Sequence, residues 1–139
     1  MSITLSNTGP TGRHTRMLGV VAAPLAALLV WLAAVPLAGI DLAAQPVPGS
    51  AVQPVGPVSV VVSALAAGLV AWAARAMLDR AGTRGRAIWT GIAAVALLVS
   101  LAGPLGAGAT MAAGIVLASM HVVVGATLIA ALAPPVTSK

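Results

Sequence analysis

The sequence predicts an all-α integral membrane protein: a four-helix bundle of up-down topology with both termini in the cytoplasm. Composition is the first reason. Of 139 residues, 60% are hydrophobic and only 6% charged, and the mean hydropathy is +1.08. A soluble domain carries about a quarter charged residues, so a surface this poor in charge calls for lipid as its solvent. The second reason is four apolar runs, each near the roughly 20 residues a bilayer requires. The third is the placement of Lys and Arg, which gives the runs an orientation.

Residues 1–16 are polar, contain Gly9, Pro10 and Gly12, and end in Arg13, His14 and Arg16. They read as a flexible basic tail. The first apolar run, 17–40, exceeds the roughly 7–15 residues of a signal-peptide core and no A-x-A site follows it. It is expected to remain as a signal anchor. Pro24 and Pro36 lie within it, and each kinks a membrane helix by freeing a carbonyl. Asp41 follows at the far interface.

Residues 41–57 hold Pro46, Pro48, Pro54 and Pro57, and Gln-Pro-Val occurs twice. That composition favours extended, polyproline-like backbone, read here as an external connector packed over the bundle mouth. The second run spans 58–78, with Arg75 near its end placed to snorkel toward headgroups. Arg75 and Asp79 are four apart and so can pair. Residues 79–86 form a short basic turn, flanked by Trp72 and Trp89 at the positions where indoles favour the membrane–water interface. The third run spans 87–106 and the fourth 111–133. Pro134 and Pro135 stop the last helix and leave a tail, 134–139.

In this layout Arg13, Arg16, Arg75, Arg80, Arg84, Arg86 and Lys139 all fall on one side, and the other side has only Asp41. The positive-inside rule assigns that basic side to the cytoplasm. The expected location is the plasma membrane. The net charge of +5 is thereby a topology signal; no basic patch interleaved with aromatics points to nucleic acid. A short repeat is also visible: LLVWLAAVPLAG at 28–39 and LLVSLAGPLGAG at 97–108. A duplication would give two parallel hairpins about an axis along the membrane normal.

Chemistry-bearing residues are few. The absence of Cys excludes disulfides, thiolate metal sites and CxxC redox pairs. Asp41 and Asp79, the only acids, fall at interfaces, so no buried carboxylate relay exists for proton-coupled transport. Ser59, Ser63, Ser100 and Ser119 have no acid–base pair beside them, and ligands are too few for a metal. His121 stands out, near the middle of the fourth run. Gly114, Ala118, His121 and Gly125 follow 4-3-4 spacing and share one face, the small-residue face expected to pack on neighbouring helices. His121 is therefore expected to point into the bundle, with Trp31 and Ser100 at its depth as hydrogen-bond partners. An ionisable group at mid-membrane is a functional candidate by default; a bond that only fixes packing is the plainer role.

The basic tail, WLAAVPLAGIDL at 31–42, Trp89, SLAGPLGAGAT at 100–110 and the Met120–His121 pair resemble a family of small four-helix membrane proteins of unknown function from high-GC Gram-positive bacteria. The resemblance covers most of the chain except the tail and the proline-rich loop, and brings no activity with it. The expectation is a non-enzymatic structural or partner-binding membrane subunit without a cofactor, in contact with the lipid bilayer, another copy or a membrane partner. Two alternatives stand beside it. One is a channel or transporter component with His121 lining a polar pathway. The other is a cofactor-binding or enzyme subunit acting as a dimer.

Overall fold

The computed structural model describes residues 10–81 and 84–133. It is helical apart from one small hairpin, and four of its helices are long and apolar enough to cross a membrane: His14–Leu37, Pro57–Leu78, Ala87–Ala107 and Met111–Leu132. Helix α1 is Pro10–Leu32, continuing as a π turn over Ala33–Leu37. The tail expected to be flexible is thus helical from Pro10 onward. Strands β1 (Ala43–Ala44) and β2 (Gln53–Pro54) precede α2 (Pro57–Leu78) and a 3-10 turn (Asp79–Ala81). Helices α3 (Arg84–Ser100) and α4 (Ala102–Ala107) together form the third span, and α5 (Met111–Leu132) the fourth. The tail 134–139, with Pro134, Pro135 and Lys139, lies outside the described residues.

Proline explains both helix irregularities. A proline ring clashes with the carbonyl four residues earlier, which is Leu32 for Pro36 and Ser100 for Pro104. Helix α1 widens into the π turn directly after Leu32, and the third span breaks at Leu101 directly after Ser100. Both halves of the short repeat therefore deform at matching places. Their packing differs: α1 lies along both α2 and α5, whereas α3 touches α2 sparsely. The parallel-hairpin arrangement that a duplication suggests is not what the contacts describe.

Helix α1 approaches its neighbours at glycines. A Cβ at Gly19 would collide with Ala131 of α5, and one at Gly68 of α2 would lie 3.1 Å from Val20 Cγ1. Small residues at such crossings let backbones come close, the main source of helix attraction in lipid.

The proline-rich segment is a hairpin, not polyproline helix. Ala43 pairs with Pro54 and Ala44 with Gln53. The turn residues explain it. Ser50 N–H donates to Val47 O at 2.9 Å, Pro48 takes the second turn position, and Gly49 has φ +84°. That is the positive φ a type II turn requires at its third residue. The hairpin also captures the end of the third span. Gln45 N–H donates to Ala107 O (2.7 Å) and Ala109 N–H to Ala43 O (3.0 Å). Leu42 inserts into the core at 5% exposure.

Candidate functional site

The two ends of the molecule are built differently. At the basic end, Ala23 of α1, Leu128 and Leu132 of α5 and Trp89 of α3 form one buried cluster, with Ala71, Ala74 and Leu78 of α2 packed against it. Trp89 is 3% exposed. The indole wedges between helices, and its N–H has no hydrogen-bond partner among the described residues. Trp72 does stay partly exposed.

Arg75 is also buried, at 4%, and does not snorkel. Its Nε–H donates to Leu132 O at 3.1 Å, filling one of the carbonyls left open at the C-terminal end of α5. Its Nη1 lies 2.8 Å from Asp79 Oδ1, an ionic contact whose angle is poor for a hydrogen bond. Asp79 in turn accepts from Arg16 Nη1 (2.6 Å) and Nη2 (3.3 Å). The i,i+4 pair expected from sequence is thus the centre of a knot that joins α1, α2 and α5.

At the loop end the buried cluster comprises Ala27, Leu42, Val60, Ala64, Ala113 and Met120, flanked by Trp31, Val35 and Val55. These come from α1, α2, α5 and the hairpin segment; α3 and α4 contribute none. At this end the third span packs on α5, where Pro104 is buried, and adds nothing to the apolar cluster. Its departure from α2 appears along two residue stripes. On α2, Leu78, Ala74 and Ala71 are half-buried, while Ala67 and Ser63, continuing that stripe, are exposed. On α3, Trp89 is buried and Ala93 half-buried, while Ala96 and Ser100 are exposed. Spacings of three and four keep each stripe on one helix face. Helix α5 backs the opening, since Leu97 of α3 rests on Gly125 and α4 rests on Gly114 through the Pro104 carbonyl.

By helical spacing His121 continues the α5 stripe Leu132, Leu128, Gly125, whose first two members pack with Trp89 at the basic end. It shares its face with Gly114 and Gly125 as the spacing predicts, but it is exposed. The expectation that it points into a covered interior fails for a definite reason. Covering it requires α3 to continue along α2 and α5, and α3 diverges from α2 below that level. His121 Nδ1 lies 2.8 Å from Leu117 O. A carbonyl only accepts, so Nδ1 carries a proton, and in the neutral tautomer with that proton Nε2 is an acceptor. Nε2 has no partner among the described residues.

Neither expected partner bonds to it. Trp31 Nε1–H donates to Val55 O at 2.8 Å and so fastens the hairpin to α1. Ser100 Oγ–H donates to Leu97 O at 2.7 Å, yet Ser100 does sit on the stripe facing the opening. Ser63, not singled out from sequence, is the third polar residue there. Its hydroxyl makes no hydrogen bond among the described residues, whereas Ser59, Ser119 and Thr127 each donate to a carbonyl of their own helix.

Depth unites the three. Gly85 abuts the Leu78 carbonyl; Ser63 and Ser100 each lie 15 residues beyond these markers, about 22 Å at 1.5 Å per residue. Arg75 is bonded to Leu132; Ser63 is 12 residues from the first and His121 11 from the second, about 18 and 16 Å. Three helices thus bring a hydroxyl, a hydroxyl and an imidazole to one level. The buried core offers no comparable polar file: among the described residues, Arg75 is its only polar or charged member. No group of His, Cys, Asp and Glu suited to a metal occurs among the described residues.

Four apolar helices of spanning length suggest a multi-pass membrane protein. The profile of a family of unknown function, DUF6069, matches residues 7–138, and the chain belongs to that family. No curated protein and no solved structure matches it.

Proposed function

We propose that the protein is a non-enzymatic, multi-pass subunit of a bacterial plasma membrane. It works by binding a membrane-embedded partner or ligand at the gap between α2 and α3. Both termini and the 79–86 turn face the cytoplasm in this reading, supported by the one-sided placement of Arg and Lys. The observation that carries the binding role is the joint exposure of Ser63, Ser100 and His121 at one depth. A polar side chain facing hydrocarbon is costly unless something bonds to it, so an open cluster of three marks a surface made to be covered.

Photo-crosslinking tests this. A benzophenone amino acid replacing Ala67 or Ala96 should capture one discrete species in native membranes. The same residue replacing Leu69, exposed on the side of α2 away from Ala67, should give only diffuse bulk-lipid adducts. Identical adducts from all these positions would remove the binding role. For the orientation, a membrane-impermeant amine reagent should label Lys139 only after cells are opened; labelling of intact cells would reverse it.

A further inference from the structure

We infer that the occupant of the gap is a neutral lipid bearing a free hydroxyl, held with that hydroxyl between His121 and Ser63. The inference rests on the binding role proposed above and names its ligand class.

The hydrogen-bonding capacity of the gap selects a hydroxyl. In the neutral tautomer that donates Nδ1–H to Leu117 O, His121 Nε2 is an acceptor. Ser100 spends its proton on Leu97 O and turns lone pairs outward. Ser63 retains both donor and acceptor capacity. A ligand hydroxyl can donate to Nε2 and accept from Ser63 in one placement, as an ester carbonyl or ether, lacking a proton, cannot.

Charge and depth exclude an ionic headgroup. The charged residue described at the loop end is an acid, Asp41, while Arg16 and Arg75 lie at the basic end, each paired with Asp79. The polar level lies about 18 Å along α2 from Arg75 by helical rise, well within a hydrocarbon core about 30 Å thick. A phosphate there would be buried without a cation. A neutral lipid reaches that depth without burying charge.

The shape of the opening excludes a spanning helix. At the basic end Trp89 fills the space between α2 and α3. At the other end the hairpin holds Ala107 and Ala109. The gap is therefore bounded above and below and opens sideways, while a transmembrane helix needs a seam through the full thickness. Ala67 and Ala96 on the walls leave room for a chain to lie close.

The test uses full-length protein in phosphatidylcholine nanodiscs. It compares a diacylglycerol with a diazirine in one acyl chain, its O-methyl ether and phosphatidylcholine with the same chain. The free-hydroxyl probe should label α2 and α3 peptides about fivefold more than either control, the factor expected for the one donated hydrogen bond that both controls lack. The double variant Ser63→Ala, His121→Leu should abolish that preference. Ser119→Ala, in the separate groove with Leu101 and Leu105, should leave it intact. Thermal melting confirms that each variant is folded. Equal labelling by the three probes, or an unchanged preference in the double variant, overturns the inference. A protein captured at Ala67 or Ala96 overturns the lipid while preserving the binding role; no discrete species there overturns both.

Discussion

Two ends of the same helices differ in how much of the third span they use. At the basic end Trp89 locks α3 into a cluster shared by all four spans, and the Arg16–Asp79–Arg75 knot ties three helices beside it. At the loop end the core is made by α1, α2, α5 and the hairpin, and α3 is held by backbone bonds at its tip and by contacts with α5. Both ends draw on the same Ala-rich composition. What separates them is one large side chain on the α2-facing stripe of α3 at one end, against Ala96 and Ser100 at the other. On the reading proposed here, the basic end supplies stability and the region toward the loop end supplies the binding surface.

The comparison can be broken by substitution, starting where the effect is largest. Trp89→Ala empties the centre of the basic-end cluster and should cost about 3–5 kcal/mol, measured by reversible unfolding in mixed micelles; a loss under about 1 kcal/mol would mean the indole is not the wedge. Gly19→Val forces a side chain into Ala131 and should cost about 1–3 kcal/mol by overpacking. Arg16→Gln removes a partly exposed partner from the knot, with side chains 27% and 38% exposed. Solvent screening holds its cost below about 1 kcal/mol. The Ser63→Ala, His121→Leu double variant should change stability least, by about 0.6 kcal/mol or less, the mean for intramembrane hydrogen bonds. It should nevertheless lose the bound species. Marked destabilisation by that pair would place the two side chains in the packed core and contradict the division.

Much of this was legible in the sequence. The four spans fall within a few residues of the apolar runs, because length and hydropathy are local properties. The Arg75–Asp79 pair follows from helical spacing alone. Arg16 could not be added to it, since that contact joins residues 63 apart in sequence. The usual preference of indoles for the interface says nothing of the burial of Trp89, which needs a space that α1, α2 and α5 define together. His121 is the instructive case. Spacing puts it on one face with Gly114 and Gly125, yet whether that face is covered depends on the course of another span. Ser63 was visible as the end of the stripe Leu78, Ala74, Ala71, Ala67, and a pass along that stripe would have found it. The extended reading of residues 41–57 missed the Pro48–Gly49 pair, which is a turn signal before it is a polyproline one.

The divergence of α3 from α2 carries the whole account, and site-directed spin labelling in nanodiscs measures it directly. The chain has no cysteine, so each introduced one is labelled alone. Labels at Ala67 and Ala96 should be mobile and accessible to oxygen in the bilayer, and labels at Ala74 and Ala93 immobilised and shielded. Equal shielding at all four positions would mean that α3 packs along α2 for its full length, and the gap would not exist.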